Sequence, residues 1–181
     1  MKYYRLLDDL RLRNRWFLGD INFLHENDMW NYISANEVIN LQDNYAVDIS
    51  QKGKPLDLTF GNFEILICNG KAAEIFGNDV QKISITIKGE VAQYFIIVIK
   101  SELDCIDKEQ SVFKTWEIGN EIRPDLAGTY QCFSKIVVDP KKINDQNIFR
   151  IKGFNVAVIV SSKIKNLFES NNFSGVTFRE V

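Results

Sequence analysis

His25 is the only histidine in the chain, and the one side chain whose unperturbed pKa lies near neutrality. Glu26 and Asp28 follow it, so a metal-ligand or acid–base arrangement can be drawn from the spacing. A zinc site needs several His or Cys ligands at defined intervals, and one His with the scattered Cys68, Cys105 and Cys132 does not supply them. A Ser–His–Asp or Cys–His arrangement would also have to use His25 as its base. The chain has no G-x-S-x-G elbow and no Cys in an activating motif. Neither glycine-rich phosphate loop is present, and Asn69-Gly70-Lys71 reads as a turn entering a helix. The other carboxylate cluster is Glu102, Asp104, Asp107 and Glu109. Such groups do acid–base work only if burial or mutual repulsion separates their pKa values, and they hold calcium only if their oxygens converge. Their segment lacks the glycine and alternating acids of a calcium loop and reads as an acidic surface loop. The enzymatic alternative left is a small hydrolase or lyase pairing His25 with a carboxylate. No cofactor and no metal is expected.

The elements that must position these residues are mostly strands. β-Branched and aromatic enrichment, punctuated by Gly, Asn, Asp or Pro, predicts strands over 2–7, 45–49, 56–60, 63–67, 81–88, 94–100, 133–139, 148–152, 156–160 and 176–179. Ile83, Ile85 and Ile87 alternate with Ser84, Thr86 and Lys88, as on a half-buried strand. The uninterrupted Tyr94-Phe95-Ile96-Ile97-Val98-Ile99 predicts a central strand covered on both faces, antiparallel to the one before it. Helices are predicted over 69–76, ending at Gly77-Asn78, and from Ser161 to Ser170, where Ile164, Leu167 and Phe168 share one face. Residues 27–41 fit neither a helical nor a strand period. The fold class is α+β: residues 1–181 as a single domain with a mostly antiparallel β-sheet and a few short helices.

A chain of 181 residues with 45% hydrophobic side chains can bury a sizeable core. The net charge of −2 disfavours non-specific binding to nucleic acid or to a membrane surface. No apolar run reaches membrane-spanning length, and the charged first sixteen residues are unlike a secretory signal. Three widely separated cysteines suggest reduced, largely buried thiols and a cytoplasmic protein. Charge is unevenly spread. Between Trp16 and Ser50 there is no Lys or Arg, whereas Asp20, Glu26, Asp28, Glu37, Asp43 and Asp48 are present; Lys and Arg dominate residues 135–165. An acidic, partner-facing surface is one reading of that asymmetry. Two separately solvated faces are the other. Trp30 and Trp116, in polar company, are the expected exposed aromatic anchors.

The order of segments adds to this reading. After an N-terminal Lys2-Tyr3-Tyr4 strand come Trp16-Phe17-Leu18-Gly19, then Gly53-Lys54-Pro55-Leu56-Asp57-Leu58-Thr59-Phe60, then Ile65-Leu66-Ile67-Cys68-Asn69 running into a helix. The apolar strand at Tyr94 leads to Leu103-Asp104-Cys105-Ile106-Asp107 and Ser111. The chain closes with Ile148-Phe149-Arg150-Ile151, a helix at Val160-Ser161-Ser162-Lys163-Ile164-Lys165, and Ser174-Gly175-Val176-Thr177-Phe178. Over nearly the full length this order resembles a family of bacterial polymorphic-toxin immunity proteins, the eleventh Imm class; Ala35-Asn36 departs from an expected glycine turn. The resemblance implies a non-catalytic cytosolic protein that binds and neutralises a cognate toxin domain. The expected contact residues are Trp16, Asp20, Glu26, Asp28, Trp30, Glu37 and Asp43, and replacing Asp20, Glu26 and Asp28 by Lys should slow association. A homodimer, or a homo-oligomeric scaffold built on an exposed sheet edge, stays open as an alternative.

Overall fold

The computed structural model describes residues 1–25 and 28–181. Five strands form one sheet: β1 (Tyr3–Asp8), β8 (Glu102–Leu103), β11 (Ile148–Ile151), β12 (Phe154–Ser161) and β13 (Val176–Glu180), in the order β13-β1-β12-β11-β8. A six-stranded sheet contains β2 (Phe17–Ile21), β3 (Ala46–Gln51), β4 (Leu58–Phe60), β5 (Leu66–Asn69), β6 (Val80–Ile87) and β7 (Tyr94–Ile99), in the order β2-β3-β6-β7-β5-β4. A separate ribbon pairs β9 (Val112–Thr115) with β10 (Tyr130–Lys135). The helices are α1 (Met29–Ile33), α2 (Gly70–Glu74) and α3 (Ser162–Ser170). Pairing is antiparallel except for β3 with β6 and β8 with β11, so the α+β, mostly antiparallel expectation holds.

Strand alternation explains how these layers share cores. In β7, Ile97 and Ile99 enter a cluster that includes Leu6, Ile148, Val158 and Val160 from the five-stranded sheet, together with Ile164 and Phe168 of α3. The intervening Ile96 and Val98 point the other way, among Trp16, Tyr32, Ile33, Ile83 and Ile85. One apolar strand thus feeds two cores, because successive side chains leave a strand on opposite faces. β12 does the same: Val158 and Val160 face the shared core, while Ala157 and Ile159 pack with Cys105, Ile106, Val138 and Phe149. Ser84 and Thr86 of β6 are exposed and Ile83, Ile85 and Ile87 buried, as their alternation predicts.

Polar ties fix the ends of these elements. The Asn69 carboxamide oxygen accepts from the Ala72 N–H at 2.9 Å, capping α2, and its amide nitrogen donates to Asp57 at 2.8 Å. Asp57 also accepts from the Ser174 N–H at 2.8 Å and the Ser174 hydroxyl at 2.7 Å, so it joins the turn after α3 to the start of α2. Arg15 is buried against Asp8, with Nη1 to Oδ2 at 2.9 Å, and also donates to the Thr59 hydroxyl at 3.2 Å.

Several expectations need correction. Residues 62–64 form a 3-10 turn rather than the start of a strand, because Phe63 and Glu64 both take left-handed φ of 58°. The strand expected over 133–139 begins at Tyr130 and ends at Lys135, with Val138 making only an isolated bridge to Ile106. Strands β2, β8 and β9 lie where none was predicted. Cys68 and Cys105 are buried, but Cys132 is exposed, because β10 belongs to a two-stranded ribbon with an open face. Ser161 occupies the N-cap position of α3, yet its hydroxyl donates to Asn147 at 3.1 Å instead of capping the helix.

Candidate functional site

The turn at residues 62–64 lies beside β2 and α1, and together they enclose a cleft of about 410 Å³. Ile21, Phe23, Met29 and Ile65 give it an apolar lining, and Asp20, Leu24, His25, Asn62 and Phe63 complete the walls. Leu24 is 72% exposed, Phe63 50% and Trp30 49%, large fractions for apolar side chains of this size. The Trp30 and Phe63 rings meet edge to face with centroids 5.7 Å apart, a geometry that rigidifies both. Beneath α1 the Tyr32 and Tyr45 hydroxyls are 2.6 Å apart. Burial, aided by that bond, raises the Tyr32 pKa, and the bond ties the helix to the segment before β3.

Acidic groups border this aromatic lip. Asp20 is exposed on β2 and accepts a hydrogen bond from the Asn62 amide. Asp28 precedes α1 and accepts from the His25 backbone N–H at 3.1 Å. Asp43 is exposed in the loop before β3. Glu37 is paired with Lys100 at 2.6 Å and Asp48 with Lys88 at 3.1 Å, which cancels much of the field expected from them. Trp16 is only 1% exposed and packs on the Tyr94 ring at 5.6 Å. It is a core residue and out of a partner's reach, because buried Arg15, paired with the partly exposed Asp8, draws its segment inward. Glu26 lies outside the described residues. Of the expected contact residues, the structure therefore puts Asp20 in the cleft wall and Asp28 and Trp30 against two wall residues, His25 and Phe63. It leaves Glu37 in an ion pair and Asp43 in a separate loop.

Phe63 and Leu24 were not anticipated as surface anchors. Gly61-Asn62 is a turn signal that could have placed Phe63 at a bend rather than inside a strand; nothing in the local pattern marks Leu24. Trp116 is half-buried and is a weaker candidate than Trp30. A second exposed apolar patch, Ile118 and Ile122, lies in the loop joining β9 to β10.

His25 is exposed at the cleft. Among the described residues no group of three or more His, Cys, Asp or Glu side chains is placed to hold a metal ion. Of the acids after β7, Asp107 serves local structure: it accepts from the backbone N–H groups of Gln110 at 3.1 Å and Glu109 at 3.0 Å, which holds its carboxyl below the usual range. No described helix is long and apolar enough to cross a membrane.

No curated protein matches the chain. The model of the immunity protein family (Imm11) matches residues 80–181, from β6 through β13, so the similar-looking segments before residue 80 lie outside the match. The matched part contains β7 and β12, the two strands that each feed two cores, and it makes up more than half of the chain. The residues that line the cleft all precede the matched part, and by that match the chain belongs to the immunity protein family (Imm11).

Proposed function

We propose that this chain neutralises a cognate toxin domain in the cytoplasm by forming a non-catalytic complex through the face that carries the cleft. The observation behind this reading is the half-exposed Trp30–Phe63 pair beside Leu24, bordered by Asp20 and Asp28. Tight interfaces concentrate their energy in a few rigid aromatic anchors within a polar rim. A rim of one charge sign steers an oppositely charged partner into register. The partner surface that fits is therefore basic, with an apolar projection able to enter the cleft. Three free cysteines suit a reducing compartment.

Co-expression with a candidate toxin domain taken from a neighbouring gene tests the reading. The native chain should restore growth and co-purify with the toxin. Trp30→Asp and Phe63→Asp should each weaken the complex by about thirtyfold or more, the range of an interfacial anchor. Asp20→Lys with Asp28→Lys should mainly slow association and reduce its salt dependence. His25→Ala should weaken neutralisation by no more than the loss of one cleft-wall contact, whereas a catalyst that depended on this imidazole would lose orders of magnitude in rate. If the cleft variants bind normally while Ile118→Asp or Ile122→Asp destroys the complex, the face is wrong and the β9–β10 loop is the contact.

A further inference from the structure

We propose that Arg150, on β11 of the other sheet, is the positioning residue that holds the 62–64 turn in its left-handed form and so presents Phe63 against Trp30. This rests on the cleft face being the toxin-binding surface, but it can be read out without the toxin.

Two successive residues with side chains, Phe63 and Glu64, sit at φ of 58°. That region is disfavoured for L-residues, above all bulky ones, and such backbone persists only where the surroundings over-determine it. Within the turn, the Gly61 N–H donates to the Ile65 carbonyl at 2.8 Å and the Ile65 N–H to the Asn62 carbonyl at 3.3 Å. From outside, Arg150 Nη2 donates to the Glu64 carbonyl at 3.1 Å, while Nη1 donates to the Asn155 carbonyl. One rigid guanidinium fork thus spans from the β11–β12 hairpin to the turn between β4 and β5.

The cost of keeping Arg150 there points to a specific duty. The side chain is wholly buried, its Nε lacks an acceptor, and among the described residues no carboxylate lies within ion-pair distance of it. Burial lowers its pKa to about 10. An apolar side chain would fill this core site without the desolvation cost of a charge. What it could not do is donate in two directions within one plane. The recipient carbonyl is that of Glu64, and the adjoining residue is the half-exposed Phe63 whose ring meets Trp30.

The test is Arg150→Met, with Arg150→Lys as the milder variant should the first fail to fold. Amide exchange is measured at Gly61 and Ile65, with β7 amides as the reference, together with the NMR shift of the Trp30 indole. Loss of the fork should speed exchange at Gly61 and Ile65 at least tenfold relative to β7, and move the Trp30 indole toward its solvent-exposed shift. Unchanged local exchange and an unchanged Trp30 shift overturn the proposal, as does a uniform loss of protection across β5, β6 and β7, which would make Arg150 a general core residue. Local loosening with weakened binding to the co-expressed toxin domain supports both this role and the binding face. Local loosening with full-strength binding supports the role and overturns the face.

Discussion

Gly175 has φ of +115°, and a methyl group on it would lie 1.7 Å from the Leu58 carbonyl oxygen. Gly175→Ala combines a disfavoured backbone with a backbone clash that no side-chain rotation relieves. It should cost about 4 kcal/mol or more, measured as a shift of the urea midpoint at constant slope. A second residue-level prediction concerns alkaline pH. Burial pushes the Cys105 thiol up to about 11 from an ordinary 9.0, and it raises Cys68, Tyr32 and Tyr94 as well. Between about pH 9 and 11 the unfolded chain has lost the Cys105 proton and the folded chain retains it. The unfolded state then binds fewer protons, so stability is full below pH 9 and falls as pH rises through that window, by about 1.4 kcal/mol per unit for this group. Denaturant titrations at pH 8, 9 and 10 should show the decline, and Cys105→Ser should lessen its slope. Trp16 shows why single residues were hard to place from sequence. It entered the expected contacts with the adjoining acid-only stretch, but Arg15 is itself buried on Asp8 and carries the tryptophan inward.

Elements with a strong internal period were the readable ones. β6 alternates, β7 is apolar throughout, and α3 places Ile164 and Phe168 on one buried face; each was found within one or two residues. β2 was missed because of its five residues only Ile21 is buried, so an edge strand left no period to detect. β8, with two residues, and β9, with no fully buried side chain, escaped for the same reason. The candidate site was half legible. Its acids and Trp30 stood out by type, while Phe63 was assigned to a strand because the apolar run Ile65–Ile67 outweighed the turn signal at Gly61-Asn62. The cap of α2, where the sequence suggested only a turn entering a helix, has a measurable value. Asn69→Ala removes both the acceptor for Ala72 and the donor to Asp57, and should cost about 1–2 kcal/mol. Asn69→Asp, which keeps the cap but places a second carboxylate beside Asp57, should be less stable than wild type at neutral pH and recover as pH falls. Thermal unfolding at several pH values distinguishes the two effects.

Across the whole molecule, the asymmetry of charge was visible in sequence but its pairing was not, since Glu37–Lys100 and Asp48–Lys88 join residues far apart in the chain. Long-range pairing also governs how the chain can be divided. The family-matched residues 80–181 lack β1, which lies between β12 and β13 in the five-stranded sheet, and they lack β3 and β5, which flank β6 and β7 in the other. Expressed alone, 1–79 and 80–181 should each show no cooperative melting, and mixing them should restore near-UV circular dichroism if the interfaces suffice for reassembly. The position of β1 has a further consequence for synthesis. Val176–Glu180 pairs along Tyr4–Asp8, so β1, made before every other described strand, must wait for β13 before this end of its sheet can close. A nascent chain halted before β13 would leave that side of β1 without its partner.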